Sequence, residues 1–97
     1  MFADVAQKHL ALLTARQRAI VLDAIEGQLV DEPELTTRNR KPMDRDRRFY
    51  VAPWELRVGD LRVYYAVEHE PRPTVIVTAV GQKVRERVRI GGKDVEP

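Results

Sequence analysis

The sequence predicts an α+β fold, with an N-terminal helical hairpin packed on a small twisted antiparallel sheet. Three observations carry this. Trp54–Val67 alternates apolar and polar residues around a central Gly59-Asp60, the pattern of two strands joined by a two-residue turn. Residues 4–30 place apolar side chains at helical spacing, and Thr74–Val80 is an almost unbroken apolar run of the length of a buried strand.

In the central hairpin, a turn at Gly59-Asp60 sets the register. Glycine tolerates the positive φ that such a turn requires. Val58 then faces Leu61, Arg57 faces Arg62, Leu56 faces Val63, Glu55 faces Tyr64 and Trp54 faces Tyr65. Because strand residues alternate sides, Trp54, Leu56, Val58, Leu61, Val63, Tyr65 and Val67 form an apolar face that needs cover. Glu55, Arg57, Arg62 and Tyr64 form the opposite, uncovered face. Like charges directly opposed cost about 0.2–1 kcal/mol, so the Arg57/Arg62 pair points to an anion between the guanidinium groups or to neutralisation by Glu55. A solvated surface without a ligand also tolerates that cost.

The cover comes from the helices. Asp4 followed by Gln7 marks a first helix start, and Leu10 and Leu13 lie one turn apart. Thr14-Ala-Arg-Gln17 is a capping-box pattern for a second helix. Ile20, Val21, Ala24, Ile25 and Leu29 make its apolar stripe. Asp31-Glu32-Pro33 stops it, because proline offers no N–H. Residues 31–48 read as a polar connector whose second half carries six basic and two acidic side chains: a solvated loop, or an arm facing phosphate. Phe49, Tyr50 and Val51 begin a strand that Pro53 interrupts. Glu68–Pro73 is a charged turn. Thr74–Val80 is a central strand covered on both faces, which Gly81 ends. In Lys83–Ile90 the spacing fits a helix or a strand with a basic face; a short turn and brief strand are favoured, followed by a turn at Gly91-Gly92.

At 97 residues the chain is expected to form a single domain, 1–97. Hydrophobic content of 43% with 33% charged residues fits a globular core and not a disordered chain. With no cysteine, disulfides and thiolate metal sites are excluded. Serine is also absent, which removes serine nucleophiles. No apolar run approaches a membrane span of about 18 residues, and no signal-peptide pattern opens the chain, so a cytoplasmic location is expected. His9 and His69 lack a second ligand at metal spacing, and no glycine-rich phosphate loop occurs; no cofactor is expected. Net charge is +2 but uneven. Residues 1–37 carry three basic and six acidic side chains, and the remainder fourteen and nine. That asymmetry suggests an anionic partner for the C-terminal two-thirds, nucleic acid first among them. Guanidinium groups with a few aromatics can hold phosphate and stabilise charge as a phosphodiester is cut.

Two helices ending in D-E-P, a basic connector, then W-E-L-R-V-G-D-L-R-V-Y-Y and V-I-V-T-A-V-G-Q-K resemble the RelE/ParE superfamily of toxins of type II toxin–antitoxin systems, over about residues 2–90. The resemblance implies a helical hairpin on one face of a small antiparallel sheet. It also implies one of two activities. RelE-like members are metal-independent endoribonucleases that cut mRNA in the ribosomal A site, where the ribose 2′-hydroxyl attacks the adjacent phosphate, and so inhibit translation. ParE-like members poison DNA gyrase. A cognate antitoxin holds either inactive, so the implied partners are that antitoxin and, for a RelE-like member, ribosome and mRNA; the implied assembly is a homodimer or a toxin–antitoxin hetero-oligomer.

Arg62 matches the strand arginine that contacts the scissile phosphate in RelE-like toxins, and Lys83 falls where they carry an arginine after the V-G turn. Pro53 and Glu55 replace basic residues of the strand before the hairpin. The C-terminal tyrosine or histidine has no counterpart, Arg89 lying near its place. The first family strand is missing, with Phe2 as its last residue: a late start or a lost edge strand. The candidate catalytic residues are therefore Arg62, Lys83, Glu55 as general base and Tyr64 for base stacking or proton transfer. The candidate RNA- or phosphate-binding residues are Arg57, Arg40, Lys41, Arg85, Arg87 and Arg89. For Glu55 the competing role is simple partner of Arg57 or Arg62. Against the RelE-like nuclease stand a ParE-like or catalytically degenerate member that binds only its antitoxin, and a nucleic-acid-binding module without catalysis.

Overall fold

A computed structural model describes residues 1–44 and 51–95 of the chain. Two helices, α1 (Asp4–Ala11) and α2 (Ala15–Gln28), precede six strands: β1 (Arg40–Pro42), β2 (Trp54–Val58), β3 (Leu61–Glu68), β4 (Thr74–Val84), β5 (Arg87–Ile90) and β6 (Lys93–Val95). The strands form one antiparallel sheet in chain order, β1-β2-β3-β4-β5-β6. The α+β expectation holds, with the helices N-terminal and β3 and β4 in the middle of the sheet. No helix among the described residues is long and apolar enough to cross a membrane.

The β2–β3 hairpin has the register read from its turn. Trp54 pairs with Tyr65, Glu55 with Tyr64, Leu56 with Val63, Arg57 with Arg62 and Val58 with Leu61, and Gly59 takes a φ of 58°. Leu56, Leu61, Val63 and Tyr65 are buried beneath the helices together with Ala6, Val21 and Leu29. The Trp54 and Tyr65 rings stack across the strands, 6.2 Å between centroids and 17° between planes, worth about 0.5–1.5 kcal/mol beyond area burial.

The helices are closed by side chains. Thr14 Oγ1 accepts from Gln17 N at 3.1 Å while Gln17 Oε1 accepts from Thr14 N at 2.9 Å, the reciprocal box read from the sequence. Asp4 is the first residue of α1, but Ala3 is its cap and makes no side-chain bond. Carbonyls at and just past the end of each helix are met by an arginine. Arg18 donates to Leu10 O of α1 at 3.4 Å and to Leu13 O just past it at 2.6 Å, and Arg40 donates to Gln28 O, the last of α2, at 2.9 Å and to Glu32 O beyond it at 2.8 Å. Cations suit that pole of the helix. Along α2, Val21, Ala24, Ile25 and Leu29 pack inward, whereas Ile20 is exposed; one position from Val21 is a rotation of about 100°.

Several expectations change. The connector at 31–48 contains a strand, β1. Of the strand expected from Phe49, Tyr50 and Val51, the first two lie outside the described residues and Val51 belongs to no strand. Gly81 does not end β4, which runs on to Val84. A Cβ there would sit 2.7 Å from Arg89 O and 2.8 Å from Ile90 Cγ1, so glycine is what lets β5 cross so closely. A bulge at Thr78 separates Tyr64↔Ala79 from Tyr65↔Val77 and switches the alternation of sides. Val75, Val77 and Val80 thereby all reach the helical core. In Lys83–Ile90 the favoured turn and brief strand are present, with Arg85 in the turn at a φ of 59° and β5 after it, while Lys83 and Val84 belong to β4.

The N-terminal residues also join the sheet. Phe2 makes a parallel bridge to Val77, with Val77 N donating to Met1 O at 2.8 Å and Ala3 N donating to Val77 O at 2.9 Å. Further along the same edge of β4, His9 Nδ1 accepts from Val80 N at 3.2 Å. The imidazole thus satisfies a strand donor in the gap between the Phe2 bridge and β5. Burial lowers the His9 pKa, in keeping with a neutral ring that accepts a hydrogen bond.

Two glycine substitutions test this packing in opposite directions. Gly81→Ala should lose about 1–3 kcal/mol in urea unfolding, because backbone blocks the new methyl. Gly27→Ala, exposed in α2 with nothing within 4 Å, should gain about 0.5–1 kcal/mol.

Candidate functional site

The sheet face away from the helices is not open as the sequence suggested. Ala52, Tyr64, Ala79 and Val88 form a second buried cluster, flanked by Met43, Val51 and Ile90. The residues either side of the β1–β2 connection therefore pack on this face and leave a groove of about 460 Å³ beside them. Its lining includes Lys41, Glu55, Arg57, Arg62, Tyr64 and Lys83, with Met43 and Val88 as apolar wall.

Register explains why these side chains converge. Lys41 is the partner of Glu55, Glu55 of Tyr64, and Arg57 of Arg62. Gly81 is opposite Arg62, and Lys83 is two residues on, opposite Val88. Cross-strand partners share a side of the sheet, so four strands contribute to one row. Lys83 N also donates to Asp60 O at 2.6 Å, fixing β4 against the hairpin turn.

The two facing arginines avoid each other by taking different partners. Arg57 Nε donates to Glu55 Oε1 at 3.0 Å. Arg62, only 7% exposed, donates through Nη1 to Gly59 O at 2.8 Å and Leu61 O at 2.9 Å. Glu55 is thus an ion-pair partner in this structure, and its carboxylate also lies beside the Tyr64 hydroxyl. Burial first, then the Glu55 charge, pushes the Tyr64 phenol well above the ordinary tyrosine range. Such a phenol remains a hydrogen-bond donor and does not act as a base. With 1% of its surface exposed, Tyr64 has no free ring face for stacking on a base; that part of its expected role is corrected.

Other expected phosphate ligands lie elsewhere. Arg40 pairs with Leu56 and so shares the helical side of the sheet, where its guanidinium is spent on α2. Arg87 and Arg89 alternate against Val88 and Ile90 as a basic strand face, but Val88 is on the groove side, so these arginines occupy the opposite one. With Arg85 they line a separate shallow concavity, in which Arg89 Nε donates to Asp94 Oδ1 at 2.9 Å. The basic residues Arg45, Arg47 and Arg48 lie outside the described residues. Pro42, Met43, Asp44, Glu86 and Val88 line the groove without having been singled out. The alternation of Val88 with Arg87 and Arg89 was the available signal for Val88; the others depended on recognising β1 and the β4–β5 turn. Among the described residues no three His, Asp or Glu side chains gather as metal ligands.

The phenols give a pH test. Burial pushes Tyr65 up to about 12, and Tyr64 is raised further. Groups held above their unfolded value of about 10 contribute stability that is complete below that pH and lost as pH rises past it. Stability should therefore fall steadily above about pH 10. Tyr64→Phe should flatten the slope in urea unfolding and remove a late step in phenolate absorbance.

Comparison of the chain with protein-family models, curated proteins and solved structures found no match in any of the three.

Proposed function

We propose that the chain is a RelE/ParE-superfamily toxin of a type II toxin–antitoxin system, with the RelE-like activity of a metal-independent endoribonuclease acting on ribosome-bound mRNA in the cytoplasm. The observation that carries this is the convergence of Lys41, Arg57, Arg62 and Lys83 around Glu55 and Tyr64 in one groove. Supporting it are the helix pair on one face of the antiparallel sheet and the Met1–Ala3 segment, which meets β4 ahead of the helices, the place in chain order of the family's first strand.

In this reading the groove holds a phosphodiester against Arg62 and Arg57. The Glu55 carboxylate takes the proton of the ribose 2′-hydroxyl. The new O2′–P bond forms as the P–O5′ bond breaks, giving a 2′,3′-cyclic phosphate and a 5′-hydroxyl. Arg57 and Arg62 offset the charge that builds on the phosphoryl oxygens. Lys83 stabilises the departing 5′-oxygen, which takes its proton from water. Tyr64 is a positioning residue that orients Glu55. The antitoxin would fold on binding and lay acidic side chains over Arg57 and Arg62.

The Glu55–Arg57 pair and the bonds of Arg62 to two carbonyls favour a second reading, a degenerate or ParE-like member whose groups are already satisfied and which binds only its antitoxin or gyrase. Inducing the protein in cells and mapping mRNA ends on ribosomes separates the two. The nuclease reading expects cleavage by the wild type and a loss of about 100-fold or more in Arg62→Ala, with folding checked by urea unfolding. Undiminished cleavage in folded Arg62→Ala would remove Arg62 from the mechanism. Absent cleavage together with inhibition of gyrase supercoiling would establish the second reading.

A further inference from the structure

Arg57 and Arg62 face each other across β2 and β3, yet they are held in opposite ways. Arg62 is buried and clasped by two backbone carbonyls. Arg57 has a side chain 46% exposed, and among the described residues its guanidinium bonds to Glu55 Oε1, a carboxylate whose side chain is 9% exposed. These carbonyls belong to the hairpin turn and to the first residue of β3, main-chain groups held by the β2–β3 pairing, so Arg62 is a fixed cation. An ion pair with one partner half in water is weakly held, so Arg57 is a movable one.

We infer that Glu55 is a built-in competitor for anions and that Arg57 is a hand-over group: it holds Glu55 in the resting protein and transfers to a phosphodiester oxygen when one enters the groove. This rests on the phosphodiester reading of the groove. The Glu55 oxygen already occupies the place against Arg57 Nε that an incoming phosphate oxygen needs. Phosphate offers a guanidinium two oxygens in the geometry of a fork, so the exchange replaces one charged bond by two. Glu55 is not stranded when Arg57 leaves, because the Tyr64 hydroxyl lies beside it and Lys41 is its partner on β1. The same movement that grips the substrate removes the cation from the carboxylate, so the base becomes available only in the occupied groove. Without a ligand the site is self-neutralised, and the two opposed guanidinium groups are tolerated.

The test uses the full chain and a short single-stranded oligodeoxynucleotide, which carries phosphodiesters but no 2′-hydroxyl and cannot be cleaved by this chemistry. Removing the competitor's charge with Glu55→Gln should tighten binding about two- to tenfold. The dependence of log K on log salt should keep the wild-type slope in Glu55→Gln, because Arg57 meets phosphate in both proteins, and should flatten by about 0.7, the value of one phosphate contact on a single strand, in Arg57→Ala. In the wild type, the Arg57 Nε–H resonance should move on saturation with the oligonucleotide. Wild-type binding that Arg57→Ala weakens but Glu55→Gln leaves unchanged or weaker overturns the hand-over and preserves the groove reading. Binding indifferent to Arg57→Ala and Lys83→Ala overturns both. If Glu55→Gln fails to fold, the wild-type resonance decides: an Arg57 Nε–H signal unmoved at saturation overturns the proposal.

Discussion

A two-residue turn at Gly59-Asp60 decides which side of the sheet each hairpin residue occupies, and from there the sides of the flanking strands. With Gly59 at positive φ, Arg57 must oppose Arg62 and Leu56 must oppose Val63. A register slip of one residue would turn the apolar set away from α1 and α2 and the charged set into the core. The helical layer and the groove are thus two consequences of one constraint. The first gives the fold its buried Val63, Tyr65 and Val80. The second concentrates cations on a side the helices leave free.

That concentration is tolerable because each charge has a separate arrangement. Glu55 answers Arg57, backbone carbonyls answer Arg62, and Lys83 lies exposed at the rim. The arginines that stabilise the fold, Arg18 and Arg40, lie at helix ends, where aligned carbonyls give them a partial negative charge. Arginine content alone therefore says little about phosphate binding here. The side of the sheet on which each arginine stands separates scaffold from site.

The hairpin and the capping box of α2 were legible in the sequence because both are local, depending on residues within a few positions of one another. What remained hidden depended on distant partners. Arg40 looks like one more charge in a basic connector until β1 pairs with β2 and places it beside Leu56, facing α2. The Thr78 bulge leaves no mark in an apolar run, since Val77 and Ala79 suit either side. Gly81 looks like a strand stop, and only the approach of Arg89 O and Ile90 shows that it permits a crossing. Of the site, Glu55, Arg57, Arg62, Tyr64, Lys41 and Lys83 were foreseen and lie together, whereas Arg87 and Arg89 were foreseen and stand on the reverse side, because alternation starts from Val88. The apolar cover over Tyr64 comes from Ala52 and Met43, far from it in the chain, and nothing local announces it.

The central claim is that phosphate is recognised on the sheet face opposite the helices. Amide chemical-shift mapping during titration with a short single-stranded RNA, repeated at several salt concentrations, tests it most directly. The account predicts shifts centred on Lys41, Arg57, Arg62, Lys83 and Val88. It also predicts affinity that falls with salt at a log–log slope of about −2, as three released counterions require on a single strand. Shifts centred on α1 and α2 or on Arg87 and Arg89, or an affinity indifferent to salt, would contradict it.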